Sequence, residues 1–237
     1  MLIDFKIKKE FENLNLKNFN FDNWESNFQK ILIECDNNKS NIKSLLKIIE
    51  ISKTKKSKEF LIEISNFVFD LKFFDLLIEI LLNEKMDEKI QKEMFFKLIS
   101  IEKHSIAFKF STQSKFKKIQ NLTIEHLKLK KEENLKYEEI WIENLILKGY
   151  SIEIVNLNED SFHQMMSMKF TKKIEMKFIS DLILNDDYLH AFDYVSKKIF
   201  GVSEFLIDFS NSCLLVEKYF KNEKGFEKVS KKIQQLK

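Results

Sequence analysis

Apolar residues recur at the spacing of one helix face over most of residues 23–101 and 137–236. Polar breaks divide these stretches, so the pattern predicts about ten helices joined by short loops. Residues with good capping side chains precede several of the runs, as expected at a helix N-terminus. The predicted caps are Asn23 for the first helix, Ser40 or Asn41 for the second, and Asp87 for a later one.

Two regions instead alternate apolar and polar residues, which is typical of a strand or an extended segment. In residues 1–22 the run FENLNLKNFNFDN predicts an N-terminal arm that lies on the body of the protein. In residues 103–158 the runs HSIAFKFST, NLTIEHLKLK and SIEIVNLN could each form a short strand. The pattern therefore predicts an all-α protein, with a minor β element near residues 103–158 left open.

The composition favours the helical interpretation because it lacks what other fold classes need. The chain has three Gly, no Pro and no Arg, so all 40 basic residues are Lys. Nothing resembles the Gly-rich phosphate loops of Rossmann or P-loop enzymes, and all-β folds need more Gly and Pro turns. Gly149, Gly201 and Gly225 each follow a predicted helix, in the position of a C-terminal cap. This bias is typical of an AT-rich genome.

No Pro-rich or Gly/Ser-rich linker divides the chain, so residues 23–237 are expected to form one helical domain. The less regular stretch 103–136 is where a break or an insertion is predicted. No apolar run approaches the roughly 20 residues of a membrane span, and the N-terminus lacks the apolar core of a signal peptide. These features predict a cytoplasmic protein that does not enter a membrane.

Residues 59–103 resemble an armadillo or HEAT repeat. The similar features are a helix of LLxxLL type, a short acidic turn at residues 83–87, and a second helix ending in an apolar group. They are carried by Leu76, Leu77, Leu81 and Leu82, and then by Met94, Leu98 and Ile99. The resemblance implies a right-handed α-solenoid, with Asn66 in the position of the family's peptide-binding Asn. From periodicity alone, an irregular helical bundle is the alternative.

Side chains that could carry chemistry lack the partners that catalysis needs. Cys35 and Cys213 lie on apolar stripes without a neighbouring His, which predicts buried, reduced thiols. Two acid–histidine pairs have the four-residue spacing of ligands on one helix face, Glu159 with His163 and Asp186 with His190. Neither pair is accompanied by a Cys or an HExxH motif. The sequence therefore predicts no enzymatic activity, no metal and no cofactor.

Clusters of lysine with interleaved aromatic residues suggest an alternative site. Lysine can neutralise the phosphates of RNA, although it cannot read guanine with two hydrogen bonds as Arg does. Solvated surface charge is the simpler explanation in so Lys-rich a chain. The residues that would bind RNA or the ribosome are Lys53, Lys55, Lys56, Lys115, Lys117, Lys118, Lys128, Lys130 and Lys131.

The leading interpretation is a non-catalytic protein–protein interaction module, such as an adaptor, a chaperone cofactor or an inhibitor of immunity type. If residues 59–103 form stacked helices, Ile90, Met94 and Leu98 share the inward stripe of one helix. Polar residues off that stripe then face the partner, another protein. This predicted partner-binding set consists of Asn66, Lys89, Lys92 and Lys97.

Overall fold

The fold is that of a computed structural model, which describes residues 2–16, 20, 23–35, 38–52, 57–129, 138–157, 161–201, 209–222 and 226–235. Every regular element in these residues is a helix, so the all-α prediction is confirmed. Contacts within the chain divide it into two compact units, Met1–Ile119 and Gln120–Lys237. The division lies inside the stretch 103–136, where the sequence predicts a break.

The first unit contains seven described helices and the start of an eighth. They are α1 (Leu2–Asn13), α2 (Phe28–Glu34), α3 (Lys39–Ile51), α4 (Ser57–Asp70), α5 (Phe74–Leu81), α6 (Glu88–Ser100), α7 (His104–Gln113) and α8 (Lys117–Leu129).

The second unit continues from α8 with shorter helices and one π-helix, Tyr194–Ile199. The α-helices are α9 (Glu139–Leu147), α10 (Ser151–Val155), α11 (Ser161–Ser167), α12 (Lys172–Leu184), α13 (Tyr188–Asp193), α14 (Phe209–Phe220) and α15 (Glu227–Gln234). The described residues thus hold more and shorter helices than the ten predicted, because tight turns divide several of the apolar runs.

The N-terminal segment is helical, so the extended arm predicted for residues 1–22 is wrong where the structure describes it. Ile7, Phe11 and Leu14 are buried at helical spacing, and α1 packs against α3. The alternation that suggests a strand begins only at Phe11, where α1 is about to end. Burial of one helix face therefore outweighs a short alternating run.

The strands considered for residues 103–158 are absent from the described part of that stretch, where α7, α8, α9 and α10 lie instead. Within α7, the neighbouring residues Ala107 and Phe108 are both fully buried. A strand would have to share its backbone hydrogen bonds with a partner strand, whereas a helix satisfies them internally. With only helices nearby, β-branched and aromatic residues are accommodated in helices.

Two of the three predicted N-terminal caps are placed differently in the structure. Helix α2 begins at Phe28 rather than after Asn23, because residues 24–27 form a turn. The cap of α3 is Asn38, whose Oδ1 accepts the Ser40 amide at 2.9 Å. Asp87 is confirmed as the cap of α6, since its Oδ1 accepts the Ile90 amide at 2.9 Å.

One turn geometry joins four helix pairs, α4–α5, α6–α7, α9–α10 and α12–α13. In each turn one residue has a positive φ, and these residues are Lys72, Glu102, Gly149 and Asp186, at 59°, 59°, 86° and 64°. The amide of the next residue donates to the carbonyl five positions earlier, at 2.9–3.1 Å. This is the Schellman motif, which closes a helix C-terminus. Gly149 is thereby confirmed as a cap; Gly201 also has a positive φ, and Gly225 lies outside the described residues.

The four hairpins also share their buried positions. In every hairpin, the residue whose carbonyl accepts the closing hydrogen bond is fully buried. The residue five positions after the one with positive φ is fully buried as well. The first set is Val68, Leu98, Leu145 and Leu182, and the second is Leu77, Ala107, Ile154 and Ala191. Each hairpin therefore has a fully buried residue on both sides of the turn, at the same two positions.

Most side-chain hydrogen bonds between helices join residues 29 to 36 positions apart, in both units. This separation is about the length of a two-helix repeat. In the first unit, Lys43 on α3 bonds to Glu79 on α5, and Glu50 bonds to Asn83 further along. Helices α3 and α5 therefore run in the same direction, as equivalent helices of successive repeats do.

Glycine at Lys72 or Glu102 is expected to raise the free energy of unfolding by about 0.5–1 kcal/mol. A side chain at positive φ costs about 1–2 kcal/mol, which the larger chain entropy of unfolded Gly partly offsets. Gly149→Ala should cost about 1 kcal/mol through φ alone, because an added Cβ there meets nothing within 4 Å. Urea unfolding of the three variants measures these changes. If Lys72→Gly and Glu102→Gly both lower the free energy of unfolding, the side chains at these two positive-φ positions are not strained.

Candidate protein-binding surface

Helices α4 and α6 run side by side in the same direction. Near their N-termini, Lys58 of α4 forms an ion pair with Asp87, the cap of α6. Further along, Lys97 of α6 donates its Nζ proton to Asn66 Oδ1 of α4 at 2.8 Å. The Lys58 hydrogen bond lowers the pKa of the Asp87 carboxyl. Polar contacts at both ends therefore hold the two helices in register.

The four residues of the predicted partner-binding set lie on this pair of helices. Asn66 is half-buried, whereas Lys89, Lys92 and Lys97 are exposed, Lys89 to 83 % of its side chain. Phe96, which the sequence pattern does not single out, is exposed to 49 % between Lys92 and Lys97. We name this surface the α4–α6 face, formed by Asn66, Lys89, Lys92, Phe96 and Lys97.

The positive charge of the α4–α6 face is only partly balanced within the described residues. Lys89 approaches Glu93 at 3.9 Å on the same helix, and Lys97 bonds to the uncharged Asn66. Neither Lys92 nor Lys97 forms an ion pair with any acid that the structure describes. An exposed aromatic ring among such lysines suits a partner that offers both apolar and acidic groups.

The odd-numbered helices of the first unit contrast with this face, because several of their charged side chains, most of them exposed, pair with one another. Each contact links neighbouring helices at 3.4–3.8 Å: Glu10 with Lys47, Lys43 with Glu79, and Asp75 with Lys109. Ion pairs of this exposed kind stabilise a fold only slightly, by about 0–1 kcal/mol. They do, however, leave less net charge available for a partner.

The inward stripe of α6 agrees with prediction at Met94 and Leu98, which are buried, but Ile90 is only half-buried. Gln91 is buried in its place, with 1 % of its surface exposed. Its Nε2 donates to the Leu81 carbonyl, and its Oε1 accepts the Ser114 hydroxyl, both at 2.5 Å. This amide therefore joins the end of α5, the first turn of α6 and the turn before α8.

The lysines of the alternative polyanion surface are partly engaged in internal contacts. Lys115 donates to the Glu84 carbonyl at 2.7 Å and lies over the Phe116 ring. Lys118 forms an ion pair with Glu88 at 3.2 Å, whereas Lys117 and Lys128 are exposed. The other residues of this set, Lys53, Lys55, Lys56, Lys130 and Lys131, lie outside the described residues. The described lysines thus form a weaker polyanion site than their number suggests.

The thiols and histidines do not assemble a reactive centre in the part of the chain that the structure describes. Cys35 and Cys213 are buried and form no disulfide, as predicted, and burial raises the pKa of Cys35 to about 11. His190 Nδ1 lies 2.9 Å from the carboxylate of Asp187, the cap of α13, rather than pairing with Asp186. No described group of acids, histidines or cysteines could hold a metal ion; Glu159 lies outside the described residues.

Two buried polar residues escape the sequence analysis, Gln91 on α6 and Glu175 on α12. Each precedes buried apolar residues three, four and seven positions later, which places it on the inward stripe of its helix. For Gln91 these residues are Met94, Phe95 and Leu98, and for Glu175 they are Phe178, Ile179 and Leu182. A polar residue in phase with an apolar stripe is therefore the signal that could have found both.

No protein-family model, curated protein or solved structure matches the chain. Within the described ranges, no helix has both the length and the apolar character that crossing a bilayer requires.

Proposed function

We propose that the protein is a non-catalytic interaction module of armadillo or HEAT type, which binds another protein through the α4–α6 face. The observation that carries this proposal is the pairing of Asn66 with Lys97 beside the exposed Phe96. It joins residues 31 positions apart into one surface, on equivalent helices of successive hairpins. Helical repeats bind partners on surfaces of this kind.

The chemistry of the face favours an acidic protein partner. Three lysines supply positive charge, and Phe96 supplies apolar area of the kind that anchors interfaces. The two buried thiols are compatible with a reducing compartment, and we place the protein in the cytoplasm. Adaptors, chaperone cofactors and inhibitors of immunity type all act by such binding.

Changing Lys89, Lys92 and Lys97 together to Glu is expected to weaken partner binding roughly tenfold or more. The reversed charges would repel an acidic partner, whereas folding should be nearly unaffected because exposed charges contribute little to stability. Partner proteins captured by the wild-type chain from its native organism would be identified and purified. Surface plasmon resonance of each with both chains measures the change in Kd, and thermal melting checks the fold.

A matched triple change of Lys117, Lys118 and Lys128 to Glu is the control, since it reverses the same amount of charge on α8. This variant should bind the partner as the wild type does. If the wild-type chain binds polyuridylic acid and this variant does not, the alternative role in RNA association is supported. Equal protein binding by all three chains would refute the α4–α6 face as the interface.

A further inference from the structure

A buried carboxyl in the second unit lies where three elements meet. Glu175 is in the first turn of α12 and is 8 % exposed. Tyr219 of α14 donates its hydroxyl proton to Glu175 Oε2 at 3.1 Å. Tyr194, the first residue of the π-helix, is fully buried, and its ring packs against Phe178 of α12 at 5.1 Å. Glu175 thus connects α12, the π-helix and α14 through one polar contact region.

The cations near Glu175 do not neutralise it. Lys198 of the π-helix donates to the carbonyls of Met166 and Met168, both at 2.6 Å. Lys172, on α12 itself, lies over the Tyr219 ring with its Nζ 5.0 Å from the ring centre. Within the described residues no lysine comes within 4 Å of the Glu175 carboxyl. A buried carboxylate without a paired cation is costly, so this site favours the protonated acid.

Hydrogen bonds offset only part of the cost of burying an ionised Glu175 carboxyl. The Tyr219 hydroxyl reaches the carboxyl, but the buried Tyr194 hydroxyl makes no hydrogen bond of standard geometry in the described structure. Two or three donors are typical where a buried carboxylate is kept ionised. Burial accordingly raises the pKa of Glu175, while the Tyr219 hydrogen bond, the charge of Lys198, the nearby Tyr194 hydroxyl and the charge of Lys172 oppose the shift.

We propose that Glu175 is a pH-operated latch: α14 stays packed against α12 and the π-helix while the buried carboxyl is protonated, and this packing, rather than the Tyr219 hydrogen bond itself, loosens when the carboxyl ionises. Because burial raises the pKa, the folded protein binds this proton more tightly than the unfolded chain does. The stability that the site contributes is therefore fully present at acidic pH. It is lost as the pH rises through the raised pKa.

Loosening of α14 would also alter the cleft that it forms with α15. This cleft has a volume of about 570 Å³ and is lined by Leu214 and Lys218 of α14 and by Lys221 just beyond its end, among others. Facing residues include Phe226 and Ser230. Tyr219 follows Lys218 directly in the chain and contacts α12, so a single helix connects the latch with the cleft.

Hydrogen exchange of the described α14 amides in the full-length protein tests the latch. In the wild type, the opening equilibrium of α14, corrected for intrinsic exchange, should rise from about pH 5 to pH 8, because the Glu175 carboxyl ionises more readily in the open state than in the closed one. Glu175→Gln keeps the size and polarity of the protonated acid but cannot ionise, so its opening equilibrium should stay flat. Glu227→Gln, an exposed acid on α15, should behave as the wild type.

A direct titration keeps the proposal testable if Glu175→Gln fails to fold. The carboxyl carbon of Glu175, followed by ¹³C NMR, should titrate above the range of an exposed Glu. In Tyr219→Phe, which loses the one hydrogen bond to the carboxyl, the midpoint should move higher still. The proposal is overturned if Glu175 titrates as an exposed Glu does, or if Glu175→Gln retains the pH dependence of the wild type.

Discussion

Truncating Leu98 to Ala should lower the free energy of unfolding by about 2–5 kcal/mol. Leu98 is fully buried on α6, and its carbonyl accepts the Lys103 amide at 2.9 Å in the turn that leads to α7. The shorter side chain would leave a cavity at the buried position, next to the turn, that all four hairpins share. Urea unfolding followed by circular dichroism measures the loss.

Ile101→Ala provides the matched control, because it shortens a large aliphatic side chain in the same turn. Ile101 is 44 % exposed, so this change should cost about 0.5 kcal/mol or less. Similar losses for the two variants would show that the buried and exposed faces of α6 are wrongly assigned.

Replacing Gln91 with Leu is expected to destabilise the protein by about 2–4 kcal/mol. The apolar side chain has a similar size but leaves the Leu81 carbonyl without its donor and the Ser114 hydroxyl without its acceptor. Each buried polar group that loses its partner costs about 1–3 kcal/mol. Equilibrium unfolding in urea gives the size of the effect.

A double-mutant cycle with Ser114→Ala separates this network from a simple packing defect. The double variant should lose less stability than the two single changes together, because Ser114→Ala removes the hydroxyl that Gln91→Leu leaves without an acceptor. Additive losses would indicate that the Gln91–Ser114 hydrogen bond contributes nothing to folding. The Ser114 hydroxyl also accepts the Phe116 amide at 3.1 Å, so Ser114→Ala alone should cost some stability too.

Helical spacing was enough to predict the fold class and much of the core. Trp24, Phe28, Ile31 and Leu32 are buried as their spacing requires, although α2 itself begins only at Phe28. The spacing of apolar residues predicts which side chains share a helix face. It does not predict the residue at which the helical hydrogen bonds begin. Each cap depends on a single side chain, which spacing does not identify. Asp87 was predicted correctly, whereas Ser40 or Asn41 was predicted in place of Asn38.

The repeated hairpin could not be predicted, because its diagnostic residue varies. A Schellman turn is recognised in a sequence by Gly at the left-handed position, and only Gly149 supplies one. Lys72, Glu102 and Asp186 adopt the same conformation with side chains that resemble ordinary surface residues. In a chain with three Gly, the turn is retained by the surrounding packing rather than by its preferred residue.

The exposure of the lysines on the candidate surface was predictable, but the internal contacts of that surface were not. Polar positions off the α6 stripe identified Lys89, Lys92 and Lys97, since helical phase alone decides exposure. The hydrogen bond from Lys97 to Asn66 depends on how α4 lies against α6, which no pattern within one helix specifies. Phe96 was not assigned to this surface, although two adjacent aromatics on one helix cannot both face inward, and here Phe95 is the buried one.

The short reach of the hydrogen bonds between helices bears on how the chain folds during synthesis. Within each unit most of these described bonds connect a helix to an element 29 to 36 residues further along the chain. Loop-closure entropy grows with the length of chain between two partners, so such contacts are inexpensive to form. A helix leaving the ribosome can dock as soon as its partner 29 to 36 residues later emerges, so its apolar face is exposed only briefly.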